Sequence, residues 1–213
     1  LGERNCQAIK VYNPTDSVVN LKGITELTDC SISSKTCHPN NWVNKGINIP
    51  AKYCDTIFFT FHTIDTNKLG LYIDEVRFAI DGHEQYQHFV LKANIQERFK
   101  PLSPKEMEIA PIIEINSREH DFGNMYGGER KTTNISITNK GKTPLIIRKI
   151  ETSCGCTVPT LANRIIPPNQ STTLEIGFQA RGKLGKQNKT ITIHCNDPQT
   201  PIVKYSIRCF IEK

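Results

Sequence analysis

Apolar and polar residues alternate along most of this chain, and the alternation predicts β-strands. Residues 8–12 (AIKVY) and 135–138 (ISIT) place apolar side chains at every second position, which is the period of a strand with one buried face. β-Branched and aromatic residues are enriched in such segments, and Gly, Pro and Asn separate them. No segment of useful length has the helical period. The pattern therefore predicts an all-β protein.

The pattern occurs twice, which indicates an internal repeat. Each copy has the length of a small sandwich of about 100 residues, so we predict two tandem immunoglobulin-like β-sandwiches. The aligned segments are 2–24 with 128–150, 49–50 with 166–167, 56–63 with 173–180, 69–70 with 184–185 and 89–95 with 205–211.

The repeat divides the chain into a divergent sandwich over residues 1–98, a Pro-containing linker over 99–111 and a second sandwich over 112–213. The second copy has a strand upstream of Gly128, and the first copy has nothing upstream of Gly2. The first sandwich is therefore predicted to lack its N-terminal strand. Truncation is the favoured reason; disorder or replacement by another strand are the alternatives, and an exposed edge can accept a partner strand.

Composition limits the classes of protein. The longest apolar runs have the length of a strand, so no membrane-inserted segment is predicted. Eight cysteines in 213 residues favour an oxidising compartment, periplasmic or at the cell surface. The chain starts at Leu1 without Met, which fits a removed signal sequence or a cloned fragment. No cysteine spacing fits zinc, and no nucleophile elbow or phosphate loop is present. We therefore predict no catalytic residue, metal or cofactor.

The charge is uneven along the chain. The net charge is +6, yet the first 100 residues hold 11 basic and 11 acidic residues, so the second half carries the excess. Arg181, Lys183 and Lys186 cluster there and are candidates for binding an anionic partner, although a solvated loop is the favoured interpretation. No aromatic residue lies between them, so nucleic-acid binding is not predicted.

The second copy resembles a bacterial domain of unknown function that is marked by a Cys-Gly-Cys-Thr loop and is frequent in envelope proteins of Bacteroidetes and Planctomycetes. That family is related to the Ig-like domains of Hydin and abnormal-spindle proteins. The resemblance covers residues 112–213 directly, and 1–98 through the repeat. The residues that carry it are Asp121-Phe122-Gly123, Gly128, Asn139-x-Gly141, Pro144-Leu145, Ser153-Cys154-Gly155-Cys156-Thr157, Ile166-Pro167-Pro168 and Asn196-Asp197-Pro198.

The resemblance implies a seven-stranded sandwich, export and no known catalytic activity. Two positions depart from the family pattern. Asn169 stands where the family usually has Gly, and His194-Cys195 stand where a small hydroxyl residue is usual. The first copy has lost the Cys-Gly-Cys motif.

Cys154-Gly155-Cys156 is the candidate thiol site, and three readings of it remain open. Both thiols are buried fillers of the loop, or they join disulfides with Cys209 as the best partner, or they bind a soft metal or cycle between redox states. A Cys-x-Cys disulfide closes a small ring and is expected to be easily reduced. His194 is expected at the opposite end of the sandwich, where it cannot complete a metal site.

The first copy has a longer loop that carries its own candidates. Cys30 and Cys37 are the preferred disulfide pair there, and Trp42 either anchors a partner or plugs the end of the sandwich. These observations predict a non-enzymatic structural module, or one that binds a protein or glycan, in an exported envelope protein. The alternative is a thiol-based metal-binding or redox protein that uses Cys154 and Cys156.

Overall fold

The structure, a computed structural model, describes residues 2–23, 30–33 and 46–213, and for residues 30–33 and 85–87 it describes the backbone alone. The chain divides into two compact units, unit 1 (Leu1–Arg98) and unit 2 (Phe99–Lys213). Apart from one short helix and a 3₁₀ turn (Thr66–Lys68), the described elements are strands, so the predicted all-β sandwich fold is confirmed.

Unit 1 packs two sheets face to face. One has the strand order β1-β5-β3 and the other β4-β2-β6-β7. Its core cluster combines inward residues of both sheets, such as Ile57 and Phe59 with Val76 and Phe78. The strands are β1 (Arg4–Tyr12), β2 (Val19–Gly23), β3 (Cys30–Ser33), β4 (Ile47–Ile49), β5 (Cys54–His62), β6 (Gly70–Ile80) and β7 (His83–Ile95).

Unit 2 repeats this plan with longer sheets, ordered β12-β14-β10-β8 and β13-β11-β15-β16-β9. Its strands alternate between buried and exposed residues, as the sequence alternation predicts. The elements are helix α1 (Pro104–Ile109) and strands β8 (Ile113–Ile115), β9 (Glu119–Tyr126), β10 (Arg130–Asn139), β11 (Leu145–Thr152), β12 (Thr157–Leu161), β13 (Ile165–Ile166), β14 (Ser171–Gln179), β15 (Gly185–Cys195) and β16 (Ile202–Glu212).

A buried asparagine closes the same turn in each unit. In unit 2 the Asn139 side-chain amide donates to the carbonyl oxygens of Thr143 and Ile166, and its oxygen accepts the Gly141 N–H. Asn13 holds the aligned position in unit 1 and makes the corresponding bonds at the end of β1. Because each amide bonds to backbone groups on both sides of the turn, the turn has the same geometry in both units.

Helix α1 lies within residues 99–111, for which the sequence predicts a linker. It forms because Ser103 and Glu106 make a reciprocal capping box and Pro104 occupies the first helical position. The Ser103 hydrogen bonds lower the pKa of Glu106. The helix is tied to unit 2, since Lys142 pairs with Glu108 at 2.9 Å.

The two units differ on one side of the sandwich. In unit 2, β8 pairs with β10 on one sheet, and β9 runs parallel to β16 at the edge of the other. In unit 1, the aligned strands β1 and β7 are the edges of their sheets, and no described strand lies beyond either of them. This agrees with the prediction that the first sandwich lacks its N-terminal strand. We call this side, between β1 and β7, the open side of unit 1.

Candidate functional site

The Cys-Gly-Cys loop connects β11 to β12 in unit 2, and its two cysteines form a disulfide. Backbone bonds hold the loop, because Ser153 N–H donates to the Thr190 carbonyl at 2.9 Å. Gly155 is exposed, and both cysteines are half-buried. The expectation of two buried thiol fillers is therefore wrong. The expectation that Cys209 is their disulfide partner is also wrong. The Cα atoms of Cys154 and Cys156 lie 5.3 Å apart, and the two residues are bonded to each other.

Cys209 is a free thiol on the inner face of β16. It lies in a buried cluster with Met125, Phe178, Ala180 and Ile211, and Cys156 packs against that cluster. Burial, and then the Asp121 carboxylate, raise the pKa of Cys209. The thiol therefore stays protonated at neutral pH and is a poor nucleophile.

His194 and Cys195 lie at the other end of unit 2, as the topology predicts. Cys195 pairs with Ile147 at the start of β11, whereas the disulfide loop follows the end of β11. The buried His194 Nε2 lies 3.1 Å from a Glu151 carboxylate oxygen. Among the described residues, no group of three or more His, Cys, Asp or Glu side chains is placed to hold a metal ion.

The remaining sequence candidates stay predictions. Arg181 and Lys186 are exposed and Lys183 is half-buried, around the connection from β14 to β15. Trp42 and the Cys30–Cys37 pair lie outside the described residues or side chains. Cys6 in β1 is disulfide-bonded, and its partner also lies outside the described side chains.

The open side of unit 1 contains two grooves that the sequence reasoning did not single out. The Ala93 groove has a volume of about 460 Å³ and is lined by residues that include Phe61, Thr63, Leu91, Ala93 and Ile95. The repeat alignment was the signal that could have found it, because it identifies the unit 1 residues whose counterparts β9 covers.

The Phe89 groove continues along the same side of unit 1. Its volume is about 680 Å³, and Val11, Leu21, Phe78 and Phe89 are among the residues that line it. Each groove has residues of both β1 and β7 in its wall. The grooves therefore follow the gap between the two edge strands.

Core side chains of unit 1 are incompletely covered along this side. Six of them are half-buried, whereas the aligned residue in unit 2 is at most 2% exposed in every case. The pairs are Ile9 with Ile135, Val11 with Ile137, Leu21 with Ile147, Phe61 with Phe178, Phe89 with Tyr205 and Leu91 with Ile207.

Comparison with known proteins supports the fold and leaves the function open. The sequence model of a family described as a protein of unknown function (DUF1573) matches residues 113–208. A crystal structure of a protein of unknown function from Porphyromonas gingivalis W83 aligns with a TM-score of 0.64 and 18% identity, over 98% of this chain and 91% of that chain. These matches are consistent with a bacterial Ig-like family of unknown function.

A second solved structure gives a weaker alignment. The ASH / PapD-like domain 7 of human CEP192 aligns with a TM-score of 0.42 and 11% identity, over 57% of this chain and 97% of that chain. No curated protein matches the chain significantly in sequence. No helix in the described ranges is long and apolar enough to cross a membrane.

Proposed function

We propose that the chain is a non-enzymatic protein-interaction module of an exported envelope protein, and that unit 1 is the part that binds. The observation that carries the proposal is the open side of unit 1, where half-covered core residues lie beside an edge strand. Long edge strands with apolar neighbours attract other chains, and proteins that do not use them cover or charge them. Strand β7 is 13 residues long, and β6 is the only strand that pairs with it among those that the structure describes.

The outer face of the same sheet adds apolar surface next to this edge. Leu71, Ile73 and Val90 are exposed by 65%, 54% and 47%. Ile73 and Val90 are diagonal neighbours across β6 and β7, because Ile73 pairs with Lys92 and Glu75 with Val90. A protein partner fits this surface, since main-chain groups and apolar side chains are presented together. The glycan alternative depended on Trp42, which lies outside the described residues.

The disulfides support export. Cys154 is bonded to Cys156, and Cys6 is also disulfide-bonded. Such bonds persist in oxidising compartments and are rare in the cytosol. Differential alkylation and mass spectrometry on the protein in its native cells test this part. We expect both bonds to be oxidised in the envelope or secreted fraction, and reduced cysteines in a cytosolic fraction would contradict export.

Site-specific photo-crosslinking tests the interaction. A crosslinking residue is placed at Val90 or Leu71 in unit 1, and at the exposed Glu175 in unit 2 as the matched control. We expect crosslinks to one discrete protein from the unit 1 positions and none from Glu175. Equal, diffuse labelling from all three positions would remove the support for unit 1 as the binding part.

The Cys154–Cys156 disulfide favours a second candidate function, thiol-disulfide exchange with a partner protein. In that reaction a partner dithiol attacks the bond, the partner becomes a disulfide, and Cys154 and Cys156 receive two electrons and two protons. The half-buried sulfurs and the exposed Gly155 give a partner thiolate access. The disulfide disfavours metal binding in this state, because it leaves no thiolate to act as ligand.

Equilibration in dithiothreitol and glutathione buffers, read out by alkylation and mass spectrometry, tests this candidate. The double variant Cys154→Ser/Cys156→Ser is the loss-of-function form, and Cys54→Ser removes an exposed thiol as the control. Because the Cys54 thiol also attacks a small aromatic disulfide, we expect the reduced double variant to release two fewer thiolates per chain than the reduced parent, and Cys54→Ser one fewer. Equal rates in all three proteins would exclude the redox function.

A further inference from the structure

We infer that Cys154 is the sulfur through which the loop exchanges disulfides with a partner, and that Thr157 is the positioning residue that stabilises the Cys154 thiolate. The inference rests on the second candidate function, thiol-disulfide exchange, and assigns different roles to its two cysteines. The surroundings of the two sulfurs differ, and the difference decides which sulfur carries the negative charge after reduction.

A buried hydroxyl lies beside Cys154. The Thr157 Oγ1 atom is 3.6 Å from the Cys154 Sγ atom, and Thr157 is buried. A disulfide sulfur carries no hydrogen, so the hydroxyl is the donor. Within the described part of the chain, this sulfur is the only hydrogen-bond partner of the hydroxyl. Because a thiolate accepts a hydrogen bond more strongly than a neutral sulfur, reduction of Cys154 improves the bond that Thr157 already makes.

The backbone of the loop holds this hydroxyl and this sulfur together. The Cys154 carbonyl oxygen accepts two hydrogen bonds, from Thr152 Oγ1 at 2.9 Å and from the Thr157 N–H at 3.4 Å. Thr157 is also the first residue of β12, where it pairs with Phe178 of β14. None of these contacts uses the bond between the two sulfurs. We therefore expect Thr157 to stay beside Cys154 when the disulfide is reduced.

Cys156 has apolar surroundings instead. Its side chain packs against the buried cluster around Cys209, and no hydrogen bond to its sulfur is found among the described residues. Burial among apolar side chains disfavours the charged form of a thiol. After reduction, Cys156 is therefore the neutral thiol of the pair, and Cys154 is the thiolate.

The surface over the loop is open to a partner. Gly155, between the two cysteines, is exposed, and a Cβ added there would meet no atom within 4 Å. Since the thiolate is the attacking form of a cysteine, the sulfur that carries the charge is the one that reacts first with a partner disulfide.

The exchange balances in two steps. The Cys154 thiolate attacks one sulfur of a partner disulfide, which forms a bond between Cys154 and the partner and releases the other partner sulfur as a thiolate. The Cys156 thiol then gives its proton to that thiolate and attacks the Cys154 Sγ atom. The Cys154–Cys156 disulfide is restored, the second partner sulfur is released, and two electrons have passed to the partner. A partner dithiol reduces the loop again by the reverse steps.

Two variants of the whole chain, Cys156→Ser and Cys154→Ser, test which sulfur reacts. Each keeps one of the two sulfurs, so its neighbour cannot resolve the mixed disulfide. The proteins are reduced, freed of reductant and mixed with a small aromatic disulfide at neutral pH. Mass spectrometry of the loop peptide follows the reaction without contributions from other thiols such as Cys54. We expect Cys154 to react at least about tenfold faster than Cys156.

Three further variants, made with Cys156→Ser, test the hydroxyl. Thr157→Val removes it and keeps the branched shape, and Thr157→Ser keeps it. Thr172→Val is the matched control, because Thr172 is a buried threonine whose hydroxyl bonds to the Asn163 N–H. We expect Thr157→Val to slow Cys154 at least about threefold, since the lost thiolate fraction is partly offset by higher nucleophilicity. Thr157→Ser is expected to restore most of the rate, and Thr172→Val to leave it unchanged.

Three results would overturn the inference. They are a Cys156 that reacts as fast as Cys154, a Thr157→Val protein that reacts as fast as its parent, and equal losses in Thr157→Val and Thr157→Ser, which would show that packing and not the hydroxyl matters. Each of them rejects the assigned roles and leaves thiol-disulfide exchange in place, because the loop still reacts. Equal release of thiolate from the parent and from the double variant Cys154→Ser/Cys156→Ser would instead reject the exchange function itself.

Discussion

Units 1 and 2 have the same strand pattern, and they differ in how completely the core is covered. Phe178 in unit 2 is fully buried, whereas the aligned Phe61 in unit 1 is half-buried and lines a groove. The difference follows from β8 and β9, which cover this side of unit 2 and have no described counterpart in unit 1. Alternating side chains thus define which residues face the core, and a further strand decides whether water is excluded from it.

The largest expected effect compares the two aligned phenylalanines. Phe178→Ala removes a fully buried ring and is expected to lower the free energy of unfolding of unit 2 by about 3–5 kcal/mol. Phe61→Ala removes a half-buried ring and is expected to cost unit 1 about half as much or less, since less area returns to water. Chemical denaturation, with each unit followed by hydrogen exchange, measures both. Equal losses would show that Phe61 is covered in solution.

The buried asparagines give a comparison in which both units respond alike. Asn139→Ala and Asn13→Ala each leave buried backbone groups without a partner, and each is expected to cost about 2–3 kcal/mol. The same denaturation experiment measures the loss in each unit. A much smaller loss for Asn13→Ala would mean that water already reaches the turn of unit 1.

Gly141 in unit 2 and the aligned Thr15 in unit 1 test whether residues 110–112 cross the turn of unit 2. Gly141→Ala forces residues 110–112 away from the turn and is expected to destabilise unit 2 by about 1–3 kcal/mol. Thr15→Ala loses the partly buried hydroxyl bond to Asn13 and meets no such crossing, so we expect a loss of about 1 kcal/mol or less in unit 1. Thermal unfolding followed by circular dichroism distinguishes them. A Gly141→Ala protein as stable as the parent would refute the close crossing.

The smallest expected effect concerns the turn at Asn169. This residue and the aligned Lys52 both have a left-handed backbone, with φ of 59° and 53°. Glycine adopts that conformation without steric cost, so Asn169→Gly is expected to stabilise unit 2 by a few tenths of a kcal/mol, and Asn169→Ala to destabilise it by about 1 kcal/mol. The unfolding midpoint in urea measures the change. The reverse order would contradict the turn geometry.

The sequence predicted the fold well because local alternation and turn residues carry that information. Asn169 has a left-handed backbone that suits a turn after Pro167-Pro168, and the buried amide of Asn139 explains why an asparagine ends this strand.

The candidate sites were harder to predict because they depend on contacts between distant segments. The sequence spacing left three hypotheses for Cys154 and Cys156 open: buried thiols, disulfides, or a metal or redox site. The structure shows that the two cysteines form a disulfide with each other. The Ala93 groove lies beside β7 because no described strand pairs with the outer edge of β7. The residue pattern within β7 cannot reveal whether a neighbouring strand is present. Helix α1 was missed because it is only 6 residues long and lies among prolines.

Backbone hydrogen exchange in the purified protein tests the central claim, that β7 is an uncovered edge of its sheet, most directly. The comparison is between Val90 and Lys92 in β7 and the aligned Ser206 and Arg208 in β16. The account predicts that the two β7 amides exchange faster by orders of magnitude, because those of β16 face β9. Equal protection at the four amides would contradict it and show that the open side of unit 1 is already filled.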